Sequence, residues 1–184
     1  MQKTFLLIIA ACFIIKNANS QITKGNWLVG GTASFSSQFE KASTFNAHGI
    51  QIRLSPDIGY FIADKFAIGL MPSFAYDKIK SSSSNAISHQ LSIGPFLRYY
   101  FLKPEKIVNF FGESAYQYTA ISNNNTSTSE HNNTFTFSVG AVAYFNSSVG
   151  IELTANYQIY NNQQAALSAN TFILGIGFQI HLEK

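Results

Sequence analysis

The chain is short of charge, of cysteine and of long apolar runs, and each shortage excludes something. Charged residues make up 11% of its 184 residues, less than half of the roughly 25% usual in soluble domains. A surface that meets only water is hard to build from such a composition. The single cysteine, Cys12, lies in the opening segment. If that segment is removed, the remainder has neither disulfide nor thiol chemistry. The apolar run at 5–15, FLLIIAACFII, is too short to cross a bilayer as a helix, and no longer one follows. Basic charge is scarce too. The formal net charge is +3, but taking Lys3 and Lys16 from the twelve basic residues leaves ten against nine acidic ones. No basic patch of the kind nucleic acid requires can be drawn from that balance.

The opening segment itself reads as a secretory signal. Lys3 supplies the positive start, residues 5–15 the apolar stretch, and Ala18-Asn19-Ser20 the small residues before a cut. The expected cut falls before Gln21, which makes 1–20 a signal peptide and 21–184 one domain. Ile9-Ala10-Ala11-Cys12 resembles a lipoprotein cleavage box, but it sits very early and the apolar run continues past it.

What the chain has in plenty is aromatic residues, with 17 Phe and 9 Tyr, and a period of two. Alternate residues are apolar, small or aromatic over eight stretches: 27–35, 50–62, 66–76, 91–101, 108–118, 135–145, 149–159 and 172–182. None of these alternate positions is charged. The interleaved positions carry Arg53, Asp57, Arg98, Glu113 and Glu152 with several Gln, Asn, Ser and Thr. Such alternation is the signature of strands with two unlike faces. Stretches of about ten residues match tilted strands that cross a bilayer.

The connections alternate in length. Residues 63–65, 102–107 and 146–148 are short; residues 36–49, 77–88, 119–134 and 160–170 are longer and polar. Short turns on one side and long loops on the other describe an eight-stranded antiparallel up-and-down transmembrane β-barrel with both ends inside. Closure removes the sheet edges that lipid cannot satisfy. Centring the first tight hairpin on Asp64 sets Ile62 opposite Phe66, Tyr60 opposite Ile68 and Leu54 opposite Phe74. Pro56 and Pro72 then fall opposite each other, with Pro95 at a similar height, and proline cannot donate to a ladder. A bulged or broken ladder is expected there. Two aromatic belts are expected, one with Trp27, Tyr60 and Phe101 near the short turns, the other with Phe35, Tyr118 and Phe172 near the long loops.

Two stretches carry a family resemblance. Pro56-Asp57-Ile58-Gly59-Tyr60-Phe61-Ile62-Ala63-Asp64-Lys65-Phe66-Ala67-Ile68-Gly69 resembles the second hairpin of the outer-membrane β-barrel domain family, and Ile93-Gly94-Pro95-Phe96-Leu97-Arg98-Tyr99-Tyr100-Phe101 resembles its fourth strand. That family is similar to the transmembrane domain of OmpA and to OmpX. The resemblance implies the barrel fold and an outer-membrane location, but no common activity. Leu182 is followed by Glu183-Lys184, a departure from the family's usual apolar or aromatic end.

The inward face holds the candidate site. The interior of eight strands is about filled by side chains, so Arg53, Asp57, Arg98, Glu113 and Glu152 are expected to pair in a structural ion-pair network. The first of two functional alternatives is a small gated channel. The second is a lipid-modifying enzyme at the rim, drawing on His48, His89, Asp77 and nearby serines. None of His48, His89, His131 and His181 has zinc-type spacing, and nothing calls for a cofactor or a metal. Gly25-Asn26-Trp27 matches the Gly-x-Trp opening of lipocalins, yet a lipocalin lines its interior with apolar side chains. The expected partners are outer-membrane lipid and an extracellular ligand at the four long loops; the expected state is a monomer.

Overall fold

The computed structural model describes residues 22–41, 46–81, 85–123, 130–162 and 167–183. The expected signal segment and its cut before Gln21 lie outside them. The described residues form ten strands and no helix: β1 (Trp27–Lys41), β2 (Asn46–Ala63), β3 (Phe66–Leu70), β4 (Ser73–Ser81), β5 (Asn85–Ile93), β6 (Pro95–Tyr100), β7 (Val108–Asn123), β8 (Glu130–Tyr144), β9 (Val149–Asn162) and β10 (Leu167–Leu182). β3 and β4 are one crossing of the wall interrupted at Met71-Pro72, and β5 and β6 are another interrupted at Gly94. Ten strands therefore make eight crossings. Every pairing is antiparallel, each crossing lies beside its neighbours in sequence, and β1 pairs with both β2 and β10. The sheet is a closed ring.

The prolines explain both interruptions. Leu54 pairs with Phe74 and Ile58 with Leu70, so Pro56 and Pro72 meet where the ladder lapses. The lapse is repaired with other groups. The Met71 amide donates to the Gly94 carbonyl at 2.9 Å, and the Gln117 side-chain amide donates to the Met71 carbonyl at 2.8 Å. Gly94 is required here. A Cβ on it would lie 1.8 Å from the Tyr116 carbonyl oxygen, a backbone atom with nowhere to go.

The first tight turn departs from the simple register. Tyr60 faces Ile68 as expected, but Ala63, not Ile62, pairs with Phe66. Lys65 adopts a left-handed conformation, φ 67°, and is gripped from both sides. Its amide donates to the Ile22 carbonyl, and its carbonyl accepts from the Tyr100 amide. The turn is fixed from outside, and the extra residue is absorbed as a bulge at Ile62.

The strands also run further than the apolar pattern suggested. β1 and β2 stay paired out to Lys41 and Asn46, and β7 and β8 out to Ile121 and Glu130. Most of 36–49, 77–88, 119–134 and 160–170 is therefore wall, not loop. Ladder bonds are made by backbone, and small polar residues tolerate the pleat, so the ladder continues above the apolar band.

Through the middle of the wall the outward face is the uncharged set. Phe35, Leu91, Leu97, Val139, Leu153, Phe172 and Leu174 are all exposed. Trp27 lies edge-on to Tyr60 with centroids 5.2 Å apart, within the belt at the short-turn end. Trp27 points outward, as a lipocalin's would not. Inside, Phe61, Phe96, Tyr100, Phe111 and Tyr144 are buried, with Met71 above them. Ile22 closes the floor, fully buried.

Candidate functional site: the barrel lumen

The lumen is built in three tiers. The lowest is aromatic. The ring of His181 lies against Phe61, Tyr100 and Tyr144, with centroids 5.4, 6.1 and 5.5 Å away. The Tyr100 hydroxyl donates to the Gln179 amide oxygen. Together these side chains fill the section between the floor and the middle of the wall.

The middle tier is ionic. Arg98 points inward from β6, and its strand partner on β7 is Glu113. The Arg98 Nε and Nη2 atoms each stand 2.7 Å from Glu113 Oε2. Its Nη1 atom donates to Glu152 on β9 at 3.2 Å, and Nη2 reaches Asp57 on β2 at 3.2 Å. One guanidinium thus holds three carboxylates from three parts of the ring. All four side chains are almost wholly buried. The guanidinium carbon also sits 4.4 Å from the centroid of the Phe111 ring, a cation–π contact that is strong where water is excluded.

Two adjustments follow for the sequence reading. A symmetrical 102–107 turn would set Phe96 opposite Glu113, with Arg98 a diagonal step away. The observed register pairs Phe96 with Ala115 and Arg98 directly with Glu113. The cause is Asn109, whose side chain accepts from the Leu102 amide at 3.0 Å and donates back to the Leu102 carbonyl at 3.3 Å. The Ile107 carbonyl is already engaged by Tyr144, so the turn closes asymmetrically. Arg53 is the second adjustment. It lies four residues before Asp57 on the same face of β2, above the cluster, and forms no ion pair within 4 Å among the described residues. Its Nε is buried without a hydrogen-bond partner.

The upper tier is polar and open. Asp77 points inward from β4, clasped by the side-chain amides of Gln51 at 2.5 Å and Gln90 at 2.6 Å. With Arg53 it borders a vestibule of about 190 Å³ at the long-connection end. Below Arg53 a second cavity of about 30 Å³ reaches Arg98 and Glu113, room for a water or so. The sequence reading missed Asp77, Gln51 and Gln90 as a cluster, and His181 as a floor residue. Parity alone would have found them, since each occupies an inward position.

The rim residues considered for catalysis do not converge. His48 faces outward, its Nε2 3.2 Å from the Ser37 hydroxyl. His89 also faces outward, against the rings of Phe74 and Tyr76. Asp77 lies on the other side of the wall from both. Among the described residues, no group of three His, Cys, Asp or Glu side chains is placed to hold a metal.

A family model described as the outer membrane protein beta-barrel domain matches residues 5–179. The chain belongs to that family. Solved outer-membrane barrels share its fold. OprG from Pseudomonas aeruginosa is 17% identical with a TM-score of 0.58, over 88% of this chain and 98% of OprG. Neisserial surface protein A, NspA, is 15% identical with a TM-score of 0.51, over 88% of this chain and 98% of NspA. The N-terminal barrel of P. aeruginosa OprF is 14% identical with a TM-score of 0.50, over 86% and 98%. At such identities the likeness is one of fold. No curated protein is similar enough in sequence to match. As a member of the outer membrane β-barrel family, the chain is an outer-membrane protein whose apolar band faces lipid and whose charged residues face the lumen or the two ends.

Proposed function

We propose that this protein is a monomeric closed-lumen barrel that acts through its wall and its outer rim, in a structural or binding role, without passing solutes and without catalysis. The observation that carries this reading is the Arg98 cluster seated on an aromatic floor. Arg98 ties β6 to β7, β9 and β2 at once, and Phe61, Tyr100, Phe111 and Tyr144 fill the section beneath it. Opening a water path means separating buried ion pairs, at about 3–5 kcal/mol for each charge stranded. The residues at 36–49, 77–88, 119–134 and 160–170 are the surface offered to an extracellular partner.

A small gated channel is the second reading. It is favoured by the two cavities in line at Arg53, which both border that residue. Conductance of the refolded protein in planar bilayers separates the two. The closed-lumen reading expects near-zero current from the wild type. Steady ohmic current, unchanged by Glu113→Ala, overturns it and favours the channel. A lipid-hydrolysis assay on the same preparation is expected to show no turnover; turnover lost on His89→Ala would reinstate a rim enzyme.

A further inference from the structure

The outer wall is uncharged through its middle but not at the long-connection end. There, outward positions of four strands carry basic residues: His48 on β2, Lys78 and Lys80 on β4, His89 on β5 and His131 on β8. The register makes them one arc. His48 is opposite Lys80, Tyr76 is opposite His89, His89 is opposite Ser122 on β7, and Ala120 beside Ser122 is opposite His131. No acidic residue occupies a described outward position in this arc, since Asp77 is turned into the lumen and held there. At the same height, Tyr157, Phe172 and Phe35 on β9, β10 and β1 carry no charge. The opposite end of the barrel is mixed, with Asp64, Glu105 and Glu183 among Lys24, Lys65, Lys103 and Lys106. The cationic arc is therefore a local feature of one side of one end.

Its level in the membrane is marked by aromatic rings. The His131 imidazole stacks on Tyr118 with centroids 5.4 Å apart and planes 16° from parallel. His89 lies 5.4 Å from Tyr76 and 6.3 Å from Phe74. Tyrosines of such a belt sit at the membrane–water boundary, and lysines beside them extend their ammonium groups to the headgroup layer. That layer is where lipid phosphates lie, and basic residues there gain from an anionic surface.

We propose that this arc seats the phosphorylated headgroup of an anionic lipid. Lys78 and Lys80 supply the charge, while His89, His131 and Ser122 supply hydrogen-bond donors at the edge of the aromatic belt. The site lies on the outside of the wall and is independent of how the lumen works.

The test uses full-length protein refolded in uncharged octyl glucoside micelles, with native mass spectrometry counting the lipids retained. The probes are dioctanoyl phosphatidic acid, dioctanoylglycerol with the same chains but no phosphate, and inorganic phosphate as competitor. Phosphatidic acid is expected to be retained and dioctanoylglycerol lost. Each lysine contributes about fivefold to affinity for an anionic lipid surface, so Lys78→Gln with Lys80→Gln is expected to weaken retention roughly 20-fold. Lys24→Gln with Lys106→Gln, at the other end, is expected to leave it unchanged. Folding is checked by heat-dependent gel mobility; if the lysine pair fails to fold, His89→Gln with His131→Gln takes its place and is also expected to weaken retention. Equal retention of dioctanoylglycerol would reduce the site to chain contact. Displacement by inorganic phosphate at equal concentration would make it a free-anion site. Full retention by the folded lysine or histidine variants would remove the arc from the binding. Each of these results overturns the proposal.

Discussion

Arg98 and Glu113 face each other directly across the β6–β7 ladder, with the guanidinium Nε 2.7 Å from the carboxylate. The pair is not isolated, because the same guanidinium holds Asp57 and Glu152. Removing the cation therefore does more damage than removing any one anion. Arg98→Ala leaves three buried carboxylates facing each other and is expected to cost at least about 3–5 kcal/mol, the usual loss from breaking a buried pair. Glu113→Ala leaves Arg98 two partners and is expected to cost less. Urea unfolding midpoints in lipid vesicles measure both; a wild-type midpoint for Arg98→Ala would mean that the cluster contributes nothing to stability.

The facing of the wall is tested by moving one charge. Leu97 is on the lipid face near the middle of the wall, so Leu97→Arg is expected to lower stability by about 2–4 kcal/mol. Gln90→Arg puts the same charge in the upper lumen beside Asp77 and is expected to be milder. Equal folding yields for the two in lipid vesicles would contradict the facing.

The broken ladder at Met71-Pro72 depends on one side chain. Gln117 donates to the Met71 carbonyl at 2.8 Å and to the Ser73 hydroxyl at 3.1 Å. Gln117→Leu is expected to destabilise by about 1–3 kcal/mol, the penalty for a buried polar group left unpaired. Thr119→Val, which loses a hydroxyl pair with Ser92 but no backbone partner, provides the comparison. If Gln117→Leu costs no more than Thr119→Val, the ladder is not repaired by Gln117.

Orientation is read by protease on intact cells. Cleavage is expected first in 123–133 (NNNTSTSEHNN) and not at Lys65, which is bound into the short-turn end through Ile22 and Tyr100. Cleavage at Lys65 with the outer membrane intact would invert the barrel.

Processing is checked by mass. The mature chain is expected to start at Gln21, leaving Ile22 to enter the floor. A mass showing lipid on Cys12 would replace this start with another.

The eight crossings were legible because side chains alternate across a strand, so that a single count separates lipid from lumen. The same parity named Arg98, Asp57, Glu113 and Glu152 as inward. It could not say how far each strand lay along its neighbour. That offset was decided by the Asn109 side chain in one turn and by the left-handed Lys65 in another, and neither leaves a periodic trace. Strand length is not legible for a related reason: apolar residues stop where lipid stops, while backbone pairing continues to Lys41 and Asn46. Arg53 shares its face with Asp57, so parity places it with the cluster; its height, above Arg98 and bordering the vestibule, is visible only in three dimensions.

The pairing of Trp27 with Leu182 joins the first strand to the last, and this shapes how the chain must assemble. Neither β1 nor β10 is satisfied on both edges until the other is present, so no shorter stretch of the chain makes a finished ring. The contacts that seal it are among the most distant in the sequence, and long-range closure of this kind is slow. Until that seam forms, two rows of backbone groups stand open, each able to pair with a stranger.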